Sequence, residues 1–336
     1  MTSLRKVADY AKVSISTVSR VINNVPLVDP KTRQRVEAAI RELNYVPNRV
    51  AQRLRSSARK GLIGLVLPDI QNPFYVDVIR GVEAYAYQHN FAVMIGNFGQ
   101  NETRQKLYLD IFKSEAVDGL IVAPSQGENR HILDAIAEGF SVVCIDRGLG
   151  DVDVDVVKVN NRKGAFTATE YLIELGHRRI AHIAGLSHIP TTTERVGGYK
   201  AAMEKHGVDV IDELVRYSKS DYESGAAIMQ ELLDLAERPT AVFAANNLLT
   251  LGALKTIYDN DLIVPDDISI IGFDDMYWSV SLNPPLTAVQ QSGYDIGNKA
   301  TELLIQRVGA AARHSTNVIF ETTLVKRKSC KKLTRN

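Results

Sequence analysis

Apolar positions in the first 46 residues follow helical spacing. Leu4, Val7, Ala8 and Ala11 fall at i, i+3, i+4 and i+7, which predicts a short helix with one buried face. Ser14 then offers an N-cap oxygen to a second helix, in which Val18, Val21 and Ile22 face inward. The outer face of that helix carries Ile15, Ser16, Thr17, Ser19 and Arg20. Asp29-Pro30 marks a third start, with Asp as cap and Pro where its missing N–H is not needed. Val36, Ala39, Ile40 and Leu43 supply the stripe that closes a small core. Two short helices joined by a tight turn form a helix-turn-helix, whose second helix suits the DNA major groove. Pro47-Asn48 breaks the pattern, and RVAQRLRSSARK follows, a basic stretch with a single large apolar side chain, Leu54.

The period changes at residue 61. LIGLVLP (62–68), AVMIGNF (92–98), GLIVAP (119–124) and SVVCID (141–146) are short apolar runs, separated by helical patterns over 74–90, 102–114 and 129–138. Continuous apolar strands alternating with helices are the mark of a parallel sheet covered on both faces. The series restarts after Asn160. Helices are expected over 162–175, 194–206, 223–236 and 247–259, and strands at IAHIAG (180–185), LVRYS, AVFAAN (241–246) and ISIIGFDD (268–275). A last helix over 294–308 and a strand over 317–325 are expected to return to the first lobe. The predicted fold is an all-α helix-turn-helix headpiece on an α/β body of two doubly wound, parallel-sheet lobes.

The stretch VADYAKVSISTVSRVINN with RVEAAIRELNYVPNRVAQRLR resembles the headpiece and hinge of the LacI/GalR family of bacterial transcription regulators. The body is similar to the two-lobed periplasmic-binding-protein-like core of the same family through GLVLPDIQNPFY, VDGLIVAP, VVCIDR, LIELGHRRIAHIAG, RPTAVFAANN and VPDDISIIGFDD. The resemblance covers nearly the whole chain. It implies a headpiece (1–46), a hinge (47–60), an N-terminal lobe (61–160 with 290–325), a C-terminal lobe (161–289) and a basic tail (326–336), which reads as frayed. It implies a dimer that binds a near-palindromic operator and answers to a small effector, most simply a repressor of carbohydrate catabolism genes.

Charge sharpens the division. Residues 1–60 hold 13 Lys and Arg against 4 Asp and Glu, a net +9, while residues 61–336 hold 27 against 35, a net −8. A basic module on an acidic body suits a protein that presents one face to phosphates. Only Cys144 and Cys330 are present, Cys144 in an apolar run that reads as core, and no Cys/His spacing suits a metal. No cofactor motif is expected. The charged N-terminus does not read as a signal peptide, and no apolar run approaches the ~20 residues of a membrane span, so a cytoplasmic protein is expected. A transport-type solute-binding protein fits poorly with that N-terminus and the basic headpiece. An enzyme fits poorly because H-E-x-x-H, G-x-S-x-G and Walker patterns are missing. The alternative is a catabolite-control-type regulator governed by a phosphocarrier protein. The resemblance places an Arg seven residues after the Asp of a YDIG-like motif in those members. Here Tyr294-Asp295-Ile296-Gly297 is followed by Glu302, which would repel a phosphoserine.

The resemblance implies that Ile15, Ser16 and Arg20 reach base edges: Arg bidentate to guanine, Ile against a thymine methyl. Thr17, Ser19, Asn23 and Asn24 suit phosphates, although Thr17 and Ser19 suit packing or capping equally well. Arg49, Arg53 and Arg55 would hold phosphates around Leu54, an apolar wedge for the minor groove; without DNA the same segment reads as a flexible linker. Effector chemistry is expected outside the C-terminal strand ends, between the lobes. Phe74, Arg147, Arg195 (expected to open a helix), Asn246, Asp274 and, more weakly, Gln290 are the candidates. Two arginines with one carboxylate tilt the expectation from a plain sugar toward a sugar acid or sugar phosphate. Ser220 stands where many relatives carry an aromatic ring, which argues against a purine-like ligand.

Overall fold

A computed structural model describes residues 4–22, 28–43, 61–125, 127–308 and 314–333. Two compact units divide the chain, residues 1–61 and 62–336. The expected hinge (47–60) and its Arg49, Arg53, Leu54 and Arg55 lie outside the described residues, as do Asn23 and Asn24.

The first unit is three helices: α1 (Leu4–Ala11), α2 (Ile15–Ile22) and α3 (Pro30–Glu42). Val7, Ala8, Ala11, Val18, Val21, Val36 and Ala39 form its core, as the helical spacing predicts. Ser14 caps α2, its Oγ accepting from Thr17 N–H at 3.1 Å. Asp29 caps α3 through Thr32 N–H at 3.0 Å, with Pro30 in the first turn. Lys12, at φ 51°, makes the tight left-handed turn between α1 and α2.

The second unit holds two six-stranded sheets. The first contains β1 (Gly61–Leu67), β2 (Phe91–Asn97), β3 (Gly119–Val122), β4 (Val142–Ile145), β5 (Asp155–Val159) and β11 (Asn317–Phe320), in the order β11-β5-β4-β3-β1-β2. Four helices cover it: α4 (Pro73–Gln88), α5 (Glu102–Ser114), α6 (Arg130–Ala137) and α11 (Gly293–Val308). Alternation along β1 divides the core. Ile63, Leu65 and Leu67 pack with residues of α4 and α11, while Val66 packs with Leu109, Phe112 and Ile132 of α5 and α6. The second sheet contains β6 (Ile180–Ala184), β7 (Val215–Tyr217), β8 (Ala241–Ala244), β9 (Ser269–Phe273), β10 (Thr287–Gln290) and β12 (Thr323–Val325), in the order β12-β10-β9-β8-β6-β7. Its helices are α7 (Asn161–Glu174), α8 (Pro190–Lys205), α9 (Tyr222–Leu233) and α10 (Asn247–Asp259).

Three expectations need correction, and one strand was not anticipated. The strand expected over 317–325 is two: β11 pairs parallel with β5 of the first sheet, but β12 pairs antiparallel with β10 of the second. Strand β5 lies in DVDVDVVKV, where alternating acids mask it. Asp155 is buried because its carboxylate accepts from Arg307 Nε and Thr316 N–H, each at 2.7 Å. Helix α8 begins at Pro190, so Arg195 sits in its second turn instead of opening it. Three threonines depress helix propensity there, yet Thr191 and Thr192 are buried by tertiary packing. The C-terminal segment is not frayed over its described part. Arg327 forks onto both carboxylate oxygens of Asp275 at 2.6 and 2.8 Å. Ser329 is buried, accepting from Thr287 N–H and donating to the Ile270 carbonyl. Leu333 N–H reaches the Leu175 carbonyl.

His182 lies in the core of the second lobe, stacked between Phe243 at 4.6 Å and Tyr199 at 5.2 Å. Burial pulls its pKa down to about 4, only partly offset by its bond to the Phe243 carbonyl. Between about pH 6.5 and 4 the unfolded chain therefore binds the proton that the folded chain refuses, and stability falls as pH falls. The full effect is on the order of 3 kcal/mol. In urea unfolding, His182→Leu should lose less stability than the parent protein between pH 6.5 and 4.5; parallel pH profiles would contradict this.

Candidate functional site

The outer face of α2 is the first candidate surface. Ile15, Ser16 and Arg20 are exposed, and Thr17 and Ser19 are half-buried. Ser14 Oγ lies 2.7 Å from Ser16 Oγ and 2.8 Å from Thr17 Oγ1, so these hydroxyls form one network at the start of the helix. The Thr17 hydroxyl and N–H both meet the Ser14 cap. Ile15 keeps 41% of its surface, so an apolar side chain is available on this face. The face ends in Arg20, so the helix offers an apolar side chain, hydroxyls and a guanidinium in one row.

The second candidate is a cavity of about 430 Å³ in the body, beyond the C-terminal ends of β1, β4, β6, β8 and β9. Five of the six expected residues line it: Phe74, Arg147, Arg195, Asn246 and Asp274. Gln290 does not. It is exposed at the end of β10, and its neighbour Gln291, the first residue past the strand, lines the cavity instead.

Each side chain is held by the fold. Asn72 caps α4 through Phe74 N–H, which places the Phe74 ring at the cavity edge-on to Tyr75, 5.0 Å between centroids. Arg147 follows β4; its Nε donates to the Pro124 carbonyl at 2.7 Å and its Nη1 to Asp146 at 3.1 Å. The Arg195 guanidinium lies over the Phe273 ring, 3.7 Å from its centroid, with Nε on Asn161 Oδ1 and Nη1 on the Ala245 carbonyl. Asn246 is committed to the scaffold: its Oδ1 caps α10 through Leu249 N–H, and its Nδ2 donates to the Ser220 carbonyl. Asp274 accepts from Gln291 Nε2 and, at 3.4 Å, from Asn247 N–H. Burial pushes the Asp274 carboxyl up, with the nearby charge of Arg195 and the Gln291 bond opposing.

Sequence reasoning overlooked Asp146. It is buried, lines the cavity, and accepts from both Tyr75 Oη and Arg147. Burial, and then the charge of Asp146, push the Tyr75 hydroxyl well above its ordinary range. Asp146 and Asp274 share a signal that only the backbone reveals. Both directly follow a strand and both adopt left-handed φ, 67° and 79°. Aspartate is among the residues that tolerate this region, so it satisfies both the turn and the cavity at each position. The expected surplus of positive charge is also absent, since two buried carboxylates face two buried guanidiniums.

Some polar capacity is unspent. Arg147 Nη2 and Gln291 Oε1 are buried without a hydrogen-bond partner among the described residues, and both residues line the cavity. Side-chain bonds that cross between the lobes include Asn247 Nδ2 to Asn72 Oδ1 at 2.9 Å and Lys158 Nζ to Glu194 at 3.0 Å. Among the described residues no cluster suits a metal ion, and no helix is long and apolar enough to cross a membrane. Glu302 is paired with Lys299 at 2.8 Å.

Comparison with known proteins matches both parts. Residues 3–48 match the bacterial regulatory proteins of the lacI family, and residues 60–328 match the periplasmic binding proteins and sugar binding domain of LacI family. The HTH-type transcriptional repressor CytR of Escherichia coli (strain K12) is 34% identical over 316 residues, covering 93% of this chain and 92% of that one. A solved complex of the transcriptional regulator CelR with cellobiose is 32% identical and superposes with a TM-score of 0.75, covering 98% of this chain and 100% of that one. The Lac repressor dimer bound to operator and the anti-inducer ONPF is 28% identical with a TM-score of 0.78, covering 98% and 99%.

Proposed function

The chain belongs to the LacI family of bacterial transcription regulators, whose repressors bind operator DNA and small-molecule effectors, and from that premise we propose that a neutral sugar is its effector. The observation that carries this reading is the charge balance of the buried part of the lining: Asp146 and Asp274 against Arg147 and Arg195. A hydroxyl both donates and accepts, so each of these groups finds a partner on a polyol. A sugar acid or phosphate would meet the two carboxylates as well as the arginines. Phe74 gives one apolar ring face to stack on, and Arg147 Nη2 and Gln291 Oε1 are a free donor and a free acceptor. Tyr75, the other ring in the lining, packs edge-on to Phe74 and donates to Asp146, and Ser220 supplies no ring to sandwich a purine.

In this reading Phe74, Asp146, Arg147, Arg195, Asp274 and Gln291 touch the sugar, and Asn246 shapes the wall. Ile15, Ser16 and Arg20 read bases of a near-palindromic operator in a dimer, and repression falls on carbohydrate catabolism genes. Calorimetry of the full chain with D-ribose, cellobiose, D-gluconate and adenine tests the ligand class. A neutral sugar should bind at least tenfold tighter than gluconate or adenine; the reverse order contradicts the reading.

A further inference from the structure

Glu194 and Arg195 are consecutive on α8, about 100° apart around its axis, and so serve different surfaces. Arg195 lines the cavity, whereas Glu194 does not. Glu194 Oε1 accepts from Lys158 Nζ at 3.0 Å, and Lys158 belongs to β5 in the other lobe. Asn161 stands between the two functions and is wholly buried. Its Oδ1 accepts from Arg195 Nε at 2.8 Å, and its Nδ2 donates to Glu194 Oε2 at 3.0 Å. The amide has only one workable orientation, because a guanidinium only donates and a carboxylate only accepts. A continuous chain of charge-assisted bonds therefore runs from the cavity wall through Arg195, Asn161 and Glu194 to Lys158 across the lobes. Burial strengthens such a chain and makes a missing link costly.

We propose that Asn161 is a positioning residue that couples the effector arginine Arg195 to the cross-lobe ion pair Lys158–Glu194, so that occupancy of the cavity and closure of the lobes are linked through one amide. The proposal rests on the reading that the cavity takes the effector. Lys158 and Glu194 line none of the cavity, yet the loss of either weakens binding, because apparent affinity scales with the population of the closed, competent state. For a partly exposed pair the effect is about threefold to fivefold. Asn161→Ala loses the closure and the support of Arg195 together, about tenfold or more.

The test uses full-length protein carrying one dye on each lobe, with energy transfer reporting closure. D-Ribose and cellobiose serve as ligand probes, and thermal unfolding checks that each variant folds. Without ligand, Lys158→Met, Glu194→Gln and Asn161→Ala should each lower the closed fraction, and Lys158→Arg should preserve it. The double variant Lys158→Glu with Glu194→Lys separates coupling from simple clamping. It restores the ion pair, but an ammonium now faces the Asn161 amide, which must turn and lose its bond to Arg195. Closure should recover while sugar affinity stays at least fivefold weaker. Recovery of affinity along with closure would overturn the coupling, as would an unchanged closed fraction in Asn161→Ala. If neither sugar binds the parent protein, the effector reading fails, and the ligand-free closure of Asn161→Ala alone decides this proposal.

Discussion

Asp274→Ala should leave operator binding intact and abolish the response to effector. The carboxylate is buried at the end of β9, with Gln291 Nε2 and Asn247 N–H directed at it. Removing it deletes the hydroxyl acceptor and strands Gln291 with neither amide atom paired. Truncating one partner of a buried, charge-assisted set costs about 2–5 kcal/mol, roughly 30-fold to several thousandfold in effector affinity. Asp274→Asn should lose less, since it keeps one acceptor. Calorimetry with the preferred sugar, beside operator titration, checks both halves. A variant that keeps the sugar, or that loses the operator as well, would remove Asp274 from the effector site.

Arg20→Ala should weaken specific operator binding by about 1–3 kcal/mol and relax the preference at one symmetric pair of positions. The side chain is exposed on the outer face of α2, clear of the Val18 and Val21 core, so headpiece folding should be unaffected. Competition titrations against a specific and a random duplex decide the role. Equal loss on both would make Arg20 a phosphate contact that positions without specifying.

The headpiece was legible because local signals agreed with one another. The apolar spacing of three helices, the Ser14 and Asp29 caps and the Asp29-Pro30 start all point to the same packing, and the structure has it. In the body, strands buried on both faces were visible as apolar runs. Those that failed to appear carry their polarity for tertiary reasons. Asp155 is acceptable in β5 because Arg307 and Thr316 N–H, more than 150 positions later, meet its carboxylate. The frayed reading of the C-terminus failed the same way, since Arg327 is basic for the sake of Asp275. In the cavity, chain order located the loops but not the facing of side chains. Gln290 is the last residue of β10 and is exposed, whereas Gln291, just past the strand end, turns into the cavity. Asp146 was hidden because its left-handed φ and its partner Tyr75 belong to the folded backbone, not to a motif.

A basic helix-turn-helix unit and an effector-binding body are expected to act as one ligand-responsive repressor. The most direct test is a fluorescence-anisotropy titration of the full chain against an operator selected from random duplexes, with and without saturating neutral sugar. The selected site should be a near-palindrome of two half-sites, and its affinity should fall steeply with salt because of the +9 charge of residues 1–60. The sugar should shift operator affinity by roughly 5–150-fold, a coupling of about 1–3 kcal/mol. Superimposable isotherms with a sugar that calorimetry finds bound would contradict the account.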